Sequence, residues 1–376
     1  MIYFDNAATT RPSLAVLECF EKENEQCFAN PSSRHAYGRE AYRKLENARL
    51  SILKSLSLSN DYRVLFTSGA SESNNLAIKG IAKEYLRRGK RIITTQVEHP
   101  SVLETFRSLE KEGFEVIYLP TKEDGTVDPE TLKENMNKET ILVSIMATNN
   151  ETGSNNDILA LSKIVHSFPK AFFHVDVTQA IGKRDLPYSS IDLFSFSGHK
   201  IHGLKGTGAL ILKKNITLLR QIDGGDQEYF FRAGTDNLPG DEALAVALEE
   251  ATKNLKDNIA HAKEISSFLR EGLEKNDEIL MNSPLGGSPF ILNFSLKRKK
   301  ASVVTEALSH EGIYVSSVSA CNSKGEPISY VLEAMGFSKE RAMNSIRLSF
   351  SRENTLEEAK TFLNTLQNIL ERTINR

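Results

Sequence analysis

VLFTSGASESNNLAIKGIAKEYLRRGKRIITTQV, residues Val64–Val97, carries the pattern that decides the fold. It opens on a short apolar run that ends in a polar turn at Gly69. Leu76, Ala77, Ile81, Ala82 and Tyr85 then recur at helical spacing, and Gly89 supplies the stop. Arg91–Val97 reads as the next strand. The same alternation continues outward. Pro100 suits the first turn of a helix that ends at Gly113. FEVIYLP, TILVSIMATN, AFFHVDV, DLFSFSG and GALIL read as further strands, and Asp157–Phe168 as an amphipathic helix. Strands alternating with helices imply a mostly parallel sheet covered on both faces, an α/β class. Ligands in such sheets sit beyond the carboxyl ends of the strands.

The texture changes further on. One long helix is expected from about Asp241 to about Lys275, leading out of the sheet. PFILNFSL, IYVSS and SIRLSF read as strands of a smaller α+β domain. Its helices are expected at Ala301–His310, Ile328–Met335 and from Thr355 towards Arg372. The expected division is a large domain of residues 15–255 and a small one of residues 1–14 and 256–376 that carries Cys321.

The 376 residues are 40% hydrophobic and 26% charged, an ordinary globular balance. The formal net charge is -2 with no basic tract, so no direct nucleic-acid partner is expected. No apolar run is long enough to span a membrane, and the start, with Asp5, does not read as a signal peptide. Three cysteines, Cys19, Cys27 and Cys321, are too few and too scattered for a disulfide framework or a zinc site. A reducing, cytoplasmic setting and no bound metal are expected.

Several strand ends carry chemistry. Asp176 ends the strand AFFHVD, and Lys200 follows the next strand in SFSGHKIHGLKGTGAL. Neighbouring strands would set both at one rim. A lysine and an aspartate there suit pyridoxal phosphate (PLP): the lysine holds the aldehyde and the aspartate keeps the pyridine nitrogen protonated. Taken alone, the pair fits a salt bridge equally well. TSGASES adds a phosphate cup, with Gly69 allowing close approach and the N–H groups of Ala70 and Ser71 at a helix start. Helix capping is the plainer reading of that turn. Ser197 and His199 could add phosphate contacts, Asn150 and Gln179 could face a ring hydroxyl, and His99 could lie on the ring.

Cys321 lies in a run of small and polar residues, Ser316–Gly325, which reads as a loop. A free thiol is only about 3% thiolate at neutral pH, so a nucleophilic Cys321 needs a neighbouring base. Arg347, mid-strand in SIRLSF, needs an anion; a substrate carboxylate taken bidentately or a structural salt bridge would each serve.

Together these segments resemble the cysteine desulfurases, the NifS/IscS-like group of fold-type-I PLP enzymes within the class V aminotransferases. The likeness also takes in YFDNAATT, NPSSRHAYGR, EHPSVLET, NNETG, GGDQE with RAGTDN, and SSVSACNS. It implies that Lys200 is the Schiff-base lysine and Asp176 the partner of the pyridine nitrogen. His99 would stack on the ring, with Asn150 and Gln179 facing its hydroxyl or the substrate. Ala70, Ser71, Ser197 and His199 would hold the phosphate, and Thr235 would reach the phosphate of a second subunit in a homodimer with shared sites. Arg347 would bind the carboxylate of L-cysteine, and Cys321 would take its sulfur as a persulfide, leaving alanine. The sulfur would pass to an acceptor, an iron–sulfur scaffold or a tRNA-thiolation enzyme. A selenocysteine lyase or a transaminase on the same fold, or an inactive scaffold member, are the alternatives. Val318 stands where the family usually has glycine, which stiffens the backbone three residues before Cys321.

Overall fold

The computed structural model describes residues 1–317 and 328–372. Its strands are β1 (Ile2–Tyr3), β2 (Tyr62–Thr67), β3 (Arg91–Thr95), β4 (Glu115–Leu119), β5 (Thr140–Ser144), β6 (Phe172–Asp176), β7 (Leu193–Ser197), β8 (Gly208–Lys213), β9 (Ile279–Met281), β10 (Ile291–Leu296), β11 (Ile313–Tyr314), β12 (Ser316–Ser317) and β13 (Ser345–Ser349). Its α-helices are α1 (Leu14–Gln26), α2 (Ala36–Ser55), α3 (Ala70–Glu84), α4 (Pro100–Lys111), α5 (Pro129–Asn135), α6 (Ile158–His166), α7 (Leu238–Lys253), α8 (Leu255–Glu274), α9 (Ala301–His310), α10 (Tyr330–Ala334), α11 (Lys339–Met343) and α12 (Leu356–Arg372). No described helix is long and apolar enough to cross a membrane.

The large sheet has the order β2-β8-β7-β6-β5-β3-β4. Its pairs from β7 to β4 are parallel, and only β8 runs against its neighbours. The central strands β5 and β7 are buried along their whole length, which explains their unbroken apolar reading. Successive residues still point to opposite faces. Phe194 and Phe196 enter the core beneath α2, α6 and α7, while Leu193 enters the one beneath α3 and α4.

A four-stranded sheet, β12-β13-β10-β9, forms the second layer with α8, α9 and α12. Phe4 is fully buried in that second core, edge-on to Phe350 at 5.2 Å and to Phe362 at 5.9 Å. Aromatic pairs of this kind add about 0.5–1.5 kcal/mol each beyond burial. The anchor fixes the N-terminal strand and so fixes Asp5, Ala7 and Ala8, which follow it.

Two expectations fail in detail. The long helix is two helices, α7 and α8, parted at Asn254. They serve different cores: α7 packs on α1 and α2, whereas α8 packs on α12, and one straight rod could not do both. IYVSS also divides. Ile313–Tyr314 pairs in parallel with β1, and Ser316–Ser317 pairs antiparallel with β13.

A buried ion pair ties the sheet edge to the segment before Thr235. Arg49 donates to both carboxylate oxygens of Glu228, at 2.8 and 3.0 Å, and Glu228 also accepts from the Phe66 N–H at 3.0 Å. Glu228, Tyr229 and Phe230 all have positive φ, at 47°, 58° and 69°, a conformation that costs non-glycine residues energy and needs such a restraint. Arg49→Met should lower stability by about 3–5 kcal/mol, because it strands a buried carboxylate. A urea unfolding curve followed by circular dichroism measures the loss.

Candidate active site

The carboxyl ends of β3, β5, β6 and β7 open into a cavity of about 790 Å³. Asp176 and Lys200 both line it, as neighbouring strands require: β6 and β7 are parallel, with Asp176 opposite Ser195. Lys200 closes the short turn Gly198–Lys200 beyond β7.

Asp176 is buried and well held. One oxygen accepts from the Thr178 N–H at 2.9 Å and the other from Asn74 Nδ2 at 2.9 Å. Asn74 also donates to Ser101 Oγ at 2.9 Å, and Ser101 Oγ lies 2.9 Å from His99 Nδ1. The Ser101 N–H donates to that same His99 nitrogen at 3.1 Å. Nδ1 is therefore an acceptor, and a neutral His99 carries its proton on Nε2. The ring is open to the cavity but enclosed on its other sides. That enclosure pushes its pKa down and Lys200 adds to the effect, while Asp176 pulls back. Glu98, just before it, accepts from Thr95 Oγ1 and the Met146 N–H, which staples the His99 turn to the end of β5.

Lys200 Nζ donates to the carbonyls of Ala7 and Ala8, at 2.6 and 2.7 Å. Burial pushes its pKa down to about 8, with Arg347 contributing and Asp5 and Asp176 opposing. The amine is thus far readier to be neutral than a lysine in water.

The cup lies opposite. Gly69 caps α3 with φ of 152°, and Gly208 approaches so closely that a Cβ on it would fall 2.5 Å from Gly69 Cα. Only glycine permits this contact. It brings the start of α3 against β7, where the Ala70 N–H donates to Ser197 Oγ at 2.7 Å. Ser71 and His199 line the same wall. His199 Nδ1 lies 3.1 Å from Thr9 Oγ1, and burial, with nearby lysines, drives its pKa down to about 4.

Arg347 reaches the cavity from β13, donating to Asp5 Oδ1 at 2.8 Å and to the Asn150 carbonyl at 2.9 Å. A salt bridge, one of the two alternatives for this arginine, is thus present, yet among the described residues Nε of Arg347 is buried without a partner, as are Asn150 Oδ1 and Thr178 Oγ1. All three residues line the cavity. Gln179 lines it too and donates to the Ala7 carbonyl at 3.0 Å. Thr235 is exposed and is not among the lining residues. Cys321 lies outside the described residues; the flanking Ser316, Ser317, Ile328 and Tyr330 all line the cavity.

The Aminotransferase class-V family model matches residues 2–362. A "Cysteine desulfurase IscS" of Dictyoglomus turgidum is 39% identical over 99% of this chain and 95% of its own. A "NifS/IcsS protein homolog" of Lactobacillus delbrueckii subsp. bulgaricus is 40% identical, over 96% and 95% of the two chains. A solved NifS-like protein superposes with a TM-score of 0.92 at 37% identity, covering 98% of this chain and 99% of that one. A solved structure of SspA in complex with cysteine gives a TM-score of 0.83 at 32% identity, over 94% and 100%. The chain belongs to the class V aminotransferase family, among its NifS/IscS-like members.

In this class V chain several site residues carry no local signal in the sequence. Asn74 sits one helical turn inside the cup, and its inward placement follows only from the phase of α3. Ser101 reads as an ordinary residue in the first turn of α4. Asp5, Ala7 and Ala8 arrive from the far end of the chain, and two of them act through backbone carbonyls. Asn6 could have hinted at that segment: its side chain donates to Asn354 Oδ1 at 3.1 Å and to the Tyr3 carbonyl at 3.1 Å, knitting the turn.

Proposed function

We propose that this chain is a PLP-dependent cysteine desulfurase that converts L-cysteine to L-alanine and a persulfide on Cys321. One observation carries the reading: a depressed lysine, a hydrogen-bonded buried carboxylate and an arginine whose Nε has no partner among the described residues converge on one cavity. The donor set suits PLP. Asp176 would partner the ring nitrogen, Ala70, Ser71, Ser197 and His199 would hold the phosphate, and Asn150 and Gln179 would serve the ring hydroxyl. His99, on the same cavity wall, would pack on the ring. When bound, PLP supplies an electron sink for carbanion chemistry at the substrate α carbon.

The protein's own groups do the rest. Arg347 takes the substrate carboxylate and so aims the α hydrogen at Lys200. Lys200 Nζ, released from the Ala7 and Ala8 carbonyls, removes that proton and returns one to carbon. Cys321 attacks the substrate sulfur as a thiolate. A sulfur–sulfur bond forms, the carbon–sulfur bond breaks, and its electron pair stays with carbon until protonation completes alanine. Cys321 follows Ser317, which lines the cavity, by four positions in the sequence. The sulfur then passes to an acceptor protein of iron–sulfur cluster assembly or tRNA thiolation. The enzyme works in the cytoplasm as a homodimer, in which exposed Thr235 would contribute to the phosphate site of a second copy.

The test is direct. Purified holoenzyme given L-cysteine should release alanine, and Cys321 should gain the mass of one sulfur atom. Cys321→Ala should give neither product while keeping its cofactor. Unchanged turnover in that variant would point to a transaminase or a selenocysteine lyase.

A further inference from the structure

Lys183 has no task in that mechanism, yet it is one of the most enclosed charged groups in the molecule. It is buried, and among the described residues no carboxylate lies within ion-pair distance. Gly182, with φ of 66°, allows the turn that sends Lys183 inward; a Cβ there would meet Ala251 Cβ at 2.6 Å. Lys183 Nζ donates to Gln179 Oε1 at 3.3 Å. Gln179 Nε2 donates in turn to the Ala7 carbonyl at 3.0 Å, the same oxygen that accepts from Lys200 at 2.6 Å. A small cavity of about 30 Å³ touches both lysines, room for about one water.

The two ends of a glutamine amide have nearly the same shape, so only their partners decide which way it faces. An ammonium can only donate, so the atom opposite protonated Lys183 must be Oε1; burial, with Lys200 and Arg347 adding, pushes this amine's pKa down to about 7, so the restraint is complete below that pH. A carbonyl can only accept, so the atom opposite Ala7 must be Nε2. The two restraints agree. The second is shared with Lys200, which leaves that oxygen whenever it acts in the cavity; the first is not shared.

We propose that Lys183 is a positioning residue that locks the Gln179 amide so that its NH₂, a hydrogen-bond donor, stands beside Lys200 at the cavity wall, ready for an anionic oxygen of the cofactor. The assignment rests on the PLP reading above. Without Lys183 only the Ala7 carbonyl opposes the turn that would bring the amide oxygen to that position, where it repels the ligand.

Equilibrium dialysis of the apoprotein against PLP tests it. Lys183→Met should weaken PLP binding about tenfold, the scale of one hydrogen bond to a charged group. Gln179→Ala should weaken it similarly. The double variant should be no weaker than Gln179→Ala alone, because Lys183 acts through Gln179. Lys183→Arg keeps a donor and should bind within about threefold of the parent. Should Lys183→Met fail to fold, Gln179→Glu takes its place. It keeps an acceptor for Lys183 but removes the donor, and its binding should fall at least as far as that of Gln179→Ala. Undiminished binding in Lys183→Met or Gln179→Glu, or full additivity in the double variant, overturns the assignment while leaving the PLP reading intact. Parent protein that takes up no PLP overturns both.

Discussion

Lys200→Ala should lose all measurable desulfuration, a fall of at least about 10⁴-fold, while its thermal unfolding stays close to that of the parent. The two halves of this expectation come from different parts of the structure. The catalytic half follows from position: Lys200 is the amine that lines the cavity beside Asp176 and Arg347. The stability half follows from the balance around it. Its removal forfeits hydrogen bonds to the Ala7 and Ala8 carbonyls, worth about 1 kcal/mol each net. Burying that amine already works against its charge, as its depressed pKa shows, so removal also relieves a cost. A variant that unfolded early would mean that Lys200 is chiefly a structural strut. A folded and inactive one, without the absorbance of lysine-bound PLP, fits a nucleophile.

The same depressed pKa sets a pH dependence for the apoprotein. Only a neutral amine can attack an aldehyde, so on the proposed reading PLP uptake needs neutral Lys200. With a pKa of about 8, roughly one-tenth of it is neutral at pH 7, against a few hundredths of a per cent for a lysine in water. The rate of PLP uptake should therefore rise about tenfold per pH unit below pH 8 and level off above it. Stability should follow the linked sign. Between about pH 8 and the ordinary lysine pKa the unfolded chain holds a proton that the folded chain has released, so this group adds stability as pH rises. Stopped-flow absorbance at a series of pH values gives the first; urea midpoints in the same buffers give the second.

Much of this arrangement is legible in the sequence, for a physical reason. Parallel strands place their carboxyl ends at one rim, so a residue that ends one strand and a residue just past the next must meet. Asp176 and Lys200 obey that rule, and Gly69 with Ala70 and Ser71 obeys its counterpart at a helix start. The rule is silent about groups that come from elsewhere. Asp5 meets Arg347 across nearly the whole length of the chain, and Ala7 holds Lys200 through a carbonyl that every residue possesses. Nor does helical periodicity report a break that keeps the pattern in phase. Asn254 parts α7 from α8 because the two helices have different partners, and that is a property of the packed molecule.

Asp176→Asn is the substitution that best separates charge from shape at this site. The amide has the size of the carboxylate, but Asp176 is surrounded by donors: Asn74 Nδ2 on one oxygen and the Thr178 N–H on the other. An asparagine has one oxygen to offer the two of them, so its NH₂ must face one N–H and lose that bond. The missing charge matters more. On the proposed reading Asp176 would keep the ring nitrogen protonated, and a protonated ring is what draws electrons from a substrate. Asp176→Asn should therefore still take up PLP through Lys200 and the phosphate cup, with alanine formation falling about 10²–10⁴-fold. A variant that keeps most of its turnover would show that the ring nitrogen needs no carboxylate here. A variant that binds no PLP would show instead that Asp176 serves mainly to hold Asn74, and through it the Ser101–His99 pair, in place. Asn74→Ala separates these outcomes: it cuts the chain to His99 while leaving the charge of Asp176, and should cost turnover far less than Asp176→Asn does.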